Sequence, residues 1–303
     1  MRRILRRWRH SAVGAAVLVS VMWWVGTDPF VDGLRSLDPG TLALGALIAV
    51  PTTMVCAWRW QLVAGALDVP LAFRPAVAAC YRAQFLNTVL PGGVLGDVHR
   101  GLAHGRDAGD TPRALRAVGW ERLAGQVVQA MIAVLVLVVL AAPAYSYLPG
   151  GGVALALLVA VAVGATLVRR VRADLTHGLL ARKVWPGVLL ASAVAVSGYA
   201  ATFLVAARAA GVTAPLRTLL PAVMLVLVAA ALPVNVAGWG PREGMAAWSF
   251  GTLGLAADEG VAAATAYGVM VLVAGLPGAL AMLASARLAS ARSGLAEGAS
   301  AHQ

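Results

Sequence analysis

The sequence predicts an all-α polytopic membrane protein with about six full spans and two re-entrant broken helices arranged as an inverted repeat. Three observations lead there. Of 303 residues, 60% are hydrophobic and 12% charged, with a mean hydropathy of +0.80; soluble domains carry about 25% charged residues. The charges cluster between apolar runs, and the net charge of +11 is mostly arginine, as the excess of cytoplasmic Lys and Arg in membrane proteins would produce. Finally, a helix-breaking pattern occurs twice. Leu90-Pro91-x-x-Val94-x-Gly96-x-x-x-Arg100 returns 142 residues later as Leu232-Pro233-x-x-Val236-x-Gly238-x-x-x-Arg242. Paired interruptions of hydrophobic segments are the best pointer a transporter sequence gives to its binding site. Counted as crossings, the breaks would raise the total to seven or eight transmembrane helices.

The chain opens on Arg2, Arg3, Arg6, Arg7 and Arg9, then an apolar run. No small-residue cleavage site follows Trp23-Trp24, so residues 11–26 read as an uncleaved first span with its basic flank in the cytoplasm. The loop over 27–40 carries Asp28, Asp32 and Asp38 against Arg35 and is expected outside. The second span, 41–62, closes on Trp58-Arg59-Trp60, an arginine between aromatics that reads as an anchor at the cytoplasmic interface. Residues 73–90 keep a helical period but include Arg74, Arg82, Gln84 and Asn87, too polar to face lipid all round, and break at Pro91-Gly92-Gly93. Arg100, Arg106, Arg113 and Arg116 mark 97–116 as cytoplasmic. The segment 73–96 therefore enters and leaves on one side. Broken backbone at that depth must be buried in protein or line a watery cavity.

A third span, 118–142, starts around Glu121-Arg122, and 153–168 crosses back to the most basic loop, with Arg169, Arg170, Arg172, Arg182 and Lys183. Residues 184–207 cross outward again, and 216–232 mirrors 73–90, breaks at Pro233 and reaches Arg242-Glu243. After Asp258-Glu259, a last span over 261–283 returns the C-terminus to the cytoplasm. The Ala-, Gly- and Ser-rich tail over 290–303 is expected to be disordered. Residues 1–289 thus form one transmembrane domain of two halves, about 11–142 and 153–284. Each half has three crossings, and an odd number turns the second half upside down relative to the first.

Several function classes lose support. Basic loops are already explained by topology, so a nucleic-acid partner is not needed to account for them. Cys56 and Cys80 lie in apolar segments, and neither a disulfide framework nor a cysteine metal site is suggested. His99 and His104 are five apart with no carboxylate at ligand spacing, so a solvated loop is the simpler reading than a metal site. No Ser/His/Asp arrangement, phosphate-binding loop or metal motif stands out, and the expectation is no enzyme, cofactor or metal.

The candidate binding site gathers on the breaks. With Pro91 ending the first helix, Gly92, Gly93 and Gly96 on one side and Gly238 and Gly240 on the other are expected to offer free backbone N–H groups and close approach to an anion. Asn87 and Asn235 add neutral hydrogen bonds. Arg100 and Arg242 present guanidinium forks suited to phosphate, and Asp97, Glu121 and Glu243 are their available partners, because an arginine at mid-membrane costs about 2.5–3.5 kcal/mol on insertion scales. Two plainer readings stand beside this one: Arg100 as a topological charge in a basic loop, and Glu121-Arg122 as a helix start at the interface. Arg242, beside Glu243 in an arginine-poor outer region, is the stronger candidate.

Asn87-x-x-x-Pro91-Gly92-Gly93-x-x-Gly96-Asp97-x-x-Arg100, then Glu121-Arg122, then Pro233-x-x-x-x-Gly238-x-Gly240-x-Arg242-Glu243-Gly244 resemble the flippase-like family, the transmembrane region of lysylphosphatidylglycerol synthases. The resemblance covers about residues 11–283 and implies a domain that moves lipids or lipid-linked head groups between leaflets. In the synthases a soluble catalytic domain follows this part. This chain stops at Gln303, so synthase activity is not expected. Family members often carry an acid three positions after the Glu-Arg pair, where this chain has Gly125. The leading expectation is a translocase for an anionic lipid in the inner membrane. The alternatives are a non-transporting partner that presents lipid to a separately encoded lipid-modifying enzyme or glycosyltransferase, and a proton-coupled transporter using Asp97, Glu121 or Glu243. No ATP-binding motif is present, so the energy source would be an ion or lipid gradient or the membrane potential.

Overall fold

The computed structural model describes residues 15–140, 183–233, 235–236 and 238–300, with side chains as far as residue 285. The expected span at 153–168, its basic loop from Arg169 to Arg182 and the N-terminal arginines lie outside the described residues. Those described form helices α1 (Ala15–Val25), α2 (Asp28–Arg35), α3 (Pro39–Ala66), α4 (Phe73–Val89), α5 (Leu95–Ala108), α6 (Thr111–Leu140), α7 (Trp185–Ala209), α8 (Leu216–Ala230), α9 (Pro241–Thr252) and α10 (Ala257–Ser300). The protein is an all-α, multi-pass membrane protein. Helices α3, α6, α7 and α10 are long and apolar enough to cross a bilayer, and Leu47, Leu135, Val138, Leu190 and Leu280 point outward from them, as a lipid-facing surface requires. In contrast α4, with 17 residues, and α8, with 15, fall short of the ~20 that a span needs.

Local chemistry sets the helix ends. Asp38 caps α3, its Oδ1 accepting from the Gly40 and Thr41 N–H groups at 2.7 and 3.1 Å, and Pro39 follows at the first turn, where its missing N–H costs nothing. Asp110 does the same before α6, accepting from Arg113 N–H at 3.0 Å. That cap starts α6 at Thr111, about two turns ahead of the expected 118, so Glu121-Arg122 lie well inside the helix and not at its start. Helix α4 ends because Leu90, forced extended by the proline after it, has φ −99° and ψ 146°. The last helix is continuous to Ser300, past residue 290, where the tail was expected to lose structure. Its Ala, Leu, Arg and Glu residues are good helix formers.

The helices repeat in order. Helices α7, α8, α9 and α10 begin 143–146 residues after α3, α4, α5 and α6. Their packing repeats too: α3–α4, α4–α5, α5–α6 and α3–α6 contacts in the first half are matched by α7–α8, α8–α9, α9–α10 and α7–α10 in the second. Between the halves the contacts are reciprocal, α4 on α10 answering α8 on α6, and α3 on α10 answering α7 on α6, with α3 packed on α7 at the centre. Reciprocity of this kind is what a two-fold relation between halves produces. The large core around Phe203, Leu219, Val223, Phe250 and Met270 belongs mainly to the second half. A smaller one around Trp60, Val63, Ala76 and Trp120 belongs to the first.

Candidate functional site

The two breaks meet. Between α4 and α5 the chain turns through Gly92 and Gly93, whose φ values of +90° and +58° are disfavoured for any residue with a Cβ. The Gly92 N–H donates to the Asn235 carbonyl at 3.0 Å. The Asn235 amide lies against Gly93 so closely that a Cβ there would stand 2.6 Å from its Nδ2. In the second break, Val236 and Trp239 exchange backbone hydrogen bonds of 3.0 and 2.9 Å around a turn at Gly238, and Gly238 rests on the backbone of Thr88.

These contacts correct one expectation. Four backbone N–H groups of the breaks are not free for an anion: Gly92 is taken by Asn235, Gly96 by Asn87 Oδ1 at 2.8 Å, Gly238 by Asn235 Oδ1 at 3.2 Å and Gly240 by Glu243 Oε2 at 2.7 Å. The protein's own polar groups satisfy these four because unpaired backbone inside a membrane protein costs several kcal/mol. Pro91 and Pro233 are exposed and serve to end their helices.

What remains for a ligand is side-chain charge, and most of it forms one chain. Arg59 on α3 donates from Nε and Nη2 to Glu121 Oε1 at 2.8 and 2.5 Å, and from Nη1 to Ser192 Oγ on α7 at 3.0 Å. The other oxygen of Glu121, on α6, takes Arg100 Nη2 at 2.5 Å. Arg100, on α5, also donates from Nε to Asp97 Oδ1 at 3.0 Å. Asp97 Oδ2 accepts from Asn87 Nδ2 at 2.8 Å and is paired with Arg122, which reaches on to the Gly93 carbonyl at 3.2 Å. The sequence Arg59–Glu121–Arg100–Asp97–Arg122 alternates in sign, begins and ends on a cation, and carries one excess positive charge. Glu121 is 2% exposed and Arg100 6%. Only Arg122, with its side chain 31% exposed, opens appreciably.

The second half has a closed pair in place of a chain. Arg242 Nε donates to its neighbour Glu243 at 2.8 Å, its guanidinium lies over the rings of Trp239 and Tyr267, and Glu243 is fully buried. This pair is neutral and held at the start of α9 by the Glu243–Gly240 bond.

Both groups border one central cavity of about 330 Å³. Its walls come from α3 to α10 and from both breaks. Asn87, Gly93, Asp97, Arg100, Glu121, Arg122, Asn235, Gly238 and Arg242 all border it, whereas Pro91, Gly92, Gly96, Gly240 and Glu243 do not line it.

Two residues, Arg59 and His104, depart from their expected roles, and for Arg100 the plainer of its two readings falls. Arg59 is no interfacial anchor: α3 continues to Ala66, which leaves Arg59 inside the helix, 9% exposed and bound to Glu121. Arg100 is no mere topological charge, being buried in the same chain. His104 does not sit in a solvated loop but is buried on α5, its Nε2 2.9 Å from the Val69 carbonyl and its ring edge-on to Trp60; His99 is exposed. Gly125 now has a steric account, since a Cβ there would lie 2.6–2.8 Å from the Arg59 guanidinium. The absence of a side chain makes Arg59's seat.

Sequence reasoning also passed over Gln126, Gln129 and Tyr199, which line the cavity. A signal for the first two was present. Arg122, Gln126 and Gln129 lie four and three residues apart in an otherwise apolar run, the spacing that puts polar groups on one helical face.

A sequence model of the lysylphosphatidylglycerol synthase TM region matches residues 11–278. The chain belongs to this family. The matched range takes in both breaks, the five-residue charge chain and the Arg242–Glu243 pair, so the whole of the cavity wall is family territory. It is a membrane region found in lipid-related proteins, as the family's name states. No curated protein and no solved structure matches the chain.

Proposed function

We propose that this protein is a lipid translocase that moves an anionic phospholipid, or a lipid-linked head group, between leaflets through the cavity between its halves. One observation carries the reading. A cavity walled by both repeat halves is bordered by a buried charge chain of three arginines and two carboxylates. Because the Arg242–Glu243 pair is neutral, one positive charge is left over. The chain opens on Arg122, which shares Asp97 with Arg100, and a phosphodiester, with one negative charge, is the natural complement of that excess. At about 330 Å³ the cavity suits a head group, while the acyl chains remain in the bilayer.

In this reading the halves are inverted in the membrane of the cell, with both termini cytoplasmic, and rock against each other at the meeting of the two breaks. The anion lands on Arg122, the most open end of the chain. A proton-carrier role for Asp97, Glu121 or Glu243 is disfavoured, because each is already engaged by arginine. The test is leaflet exchange of fluorescent lipids in proteoliposomes, comparing anionic with zwitterionic head groups. The reading expects faster exchange of the anionic lipid, and abolition of that advantage in Arg122→Gln. No exchange above empty liposomes across several anionic lipids would overturn it and favour a role in presenting lipid to another enzyme.

A further inference from the structure

A second concavity, of about 400 Å³, opens on the outer side of the same helices that wall the central cavity. It lies between α3, α4 and α10, and Met54, Phe73, Val77 and Ala281 make it apolar; Arg74, near the start of α4, stands in its rim. Groove and cavity are back to back. On α4, Tyr81 faces the groove and Cys80, Ala83 and Gln84 the cavity; on α10, Pro277 faces the groove and Ala274 the cavity.

Only the α4–α10 seam separates them, and it is built for close approach. A Cβ on Gly278 would collide with the backbone of Tyr81 and Arg82, and one on Gly275 would stand 3.4 Å from Phe85 Cα. Pro277 removes one backbone hydrogen bond from α10 at the same level. Arg82, whose backbone nitrogen lies at this seam, has its Nε buried with no acceptor among the described residues. The repeat partner of α4 offers nothing comparable: α8 is buried along most of its length, from Leu219 to Ala229.

We infer that this groove docks one acyl chain of an anionic phospholipid, its phosphate on Arg74, in the leaflet facing the start of α4. The α4–α10 seam behind it is the passage by which the head group reaches the central cavity. In a bilayer an acyl chain gains little by leaving other chains for an apolar groove. The groove therefore supplies position, and selection comes from the charge of Arg74 at the rim. From Phe73 to Tyr81 the groove follows eight residues of helix, about 12 Å at 1.5 Å per residue, so it holds a chain lying along α4. The passage rests on the translocase reading; the docking site does not.

The experiment uses the wild-type protein in vesicles containing a phospholipid with a diazirine on its acyl chain, anionic or zwitterionic, with adducts mapped by mass spectrometry after irradiation. Adducts are expected on 73–81 and 277–281, about tenfold more with the anionic probe, the equivalent of one charge-assisted hydrogen bond. Arg74→Gln is expected to erase that preference, while Arg217→Gln, at the matching exposed position of α8, leaves it intact. Labelling spread evenly over the lipid-facing helices, or indifferent to head group and to Arg74, overturns the docking site. For the passage, Ala78→Trp with Ala281→Trp fills the groove and is expected to slow leaflet exchange at least tenfold with unchanged melting. Unchanged exchange overturns the passage and leaves translocation standing. Adducts in the groove without any exchange by the wild type would support the docking site and overturn translocation.

Discussion

Replacing Glu121 by Gln tests the charge chain at its centre. The substitution keeps the shape of the side chain and removes one negative charge between Arg59 and Arg100. Arg100 retains Asp97 at 3.0 Å, while Arg59 keeps the Ser192 hydroxyl and at most a neutral amide oxygen in place of the carboxylate. The change therefore leaves one buried guanidinium without a counter-charge and raises the excess charge of the chain from one to two. Breaking a buried pair from one side costs about 3–5 kcal/mol, and at roughly 2 °C per kcal/mol for a chain of this length the melting temperature falls by about 6–10 °C. The protein carries its own reporters, since Cys56 and Cys80, its only cysteines, both border the cavity; a thiol-reactive fluorogenic dye in detergent reads their exposure as the protein melts. Adding Arg59→Gln to Glu121→Gln removes the orphaned charge, and recovery of about 1–3 kcal/mol is expected from the coupling of contacting groups. The exposed Asp110–Arg113 pair is the control, where Arg113→Gln changes stability by less than about 1 kcal/mol. A loss below that control in Glu121→Gln, or strict additivity in the double variant, would refute the buried network.

Gly125→Val displaces the Arg59 guanidinium from its seat and is expected to match Arg59→Gln in the melting assay, with little further loss when the two are combined. Gly93→Ala combines a left-handed backbone with a contact on the Asn235 amide; it should cost at least about 1–2 kcal/mol, and less in an Asn235→Ala background, where the amide is gone. Arg242→Gln leaves Glu243 buried without its partner, so its main effect should be a fall of about 6–10 °C in melting temperature, whereas Arg122→Gln, on a half-open side chain, loses exchange with little change in melting. The Asp38 carboxyl is held below its ordinary value, first by the Thr41 hydroxyl and then by the Thr41 and Gly40 N–H groups. A depressed carboxylate stabilises the fold above its unfolded value near 3.8 and loses that contribution as pH falls, so the melting of Asp38→Asn should depend less on pH below about 4 than that of the wild type.

The sequence carried the fold further than the site. Runs of apolar residues located α3, α6, α7 and α10, and the repeated Leu-Pro-x-x-Val-x-Gly-x-x-x-Arg located both breaks, because a proline and a positive-φ glycine act on the backbone locally and leave a local mark. Arg59 shows where that logic ended. Its neighbours Trp58 and Trp60 match an interfacial belt, and only the tertiary position of Glu121, 62 residues away, makes it a buried ion pair. His104 failed for the same reason, since its partner is the Val69 carbonyl, 35 residues off. The expected free N–H groups of the breaks were a different kind of miss. A glycine-rich turn reads the same whether its donors face a ligand or the protein itself, and here Gly92 donates to the other break and Gly96, Gly238 and Gly240 to side chains of their own half.

The repeat also explains why the two halves cannot play equal parts. With Pro91 set on Pro233, Arg100 falls on Arg242, Asp97 on Trp239 and Gly101 on Glu243. Arg100 therefore has an acid three residues before it and must reach α6 for its second, joining α5 to α6 and, through Glu121, to Arg59 on α3. Arg242 has an aromatic ring at the earlier position and an acid directly after it, and closes on its own helix. A chain with a cation at each end can exchange a carboxylate for an arriving phosphate at Arg122 without leaving any member unpaired; a closed pair cannot. On the translocase reading, the cavity built by both halves would therefore receive an anion from one side only. The exchange assay should show that asymmetry: Glu243→Gln, which keeps an amide oxygen for the Gly240 N–H but removes the charge beside Arg242, is expected to raise the exchange of anionic lipid, and an unchanged rate in a variant that still folds would show that Arg242 lies off the path.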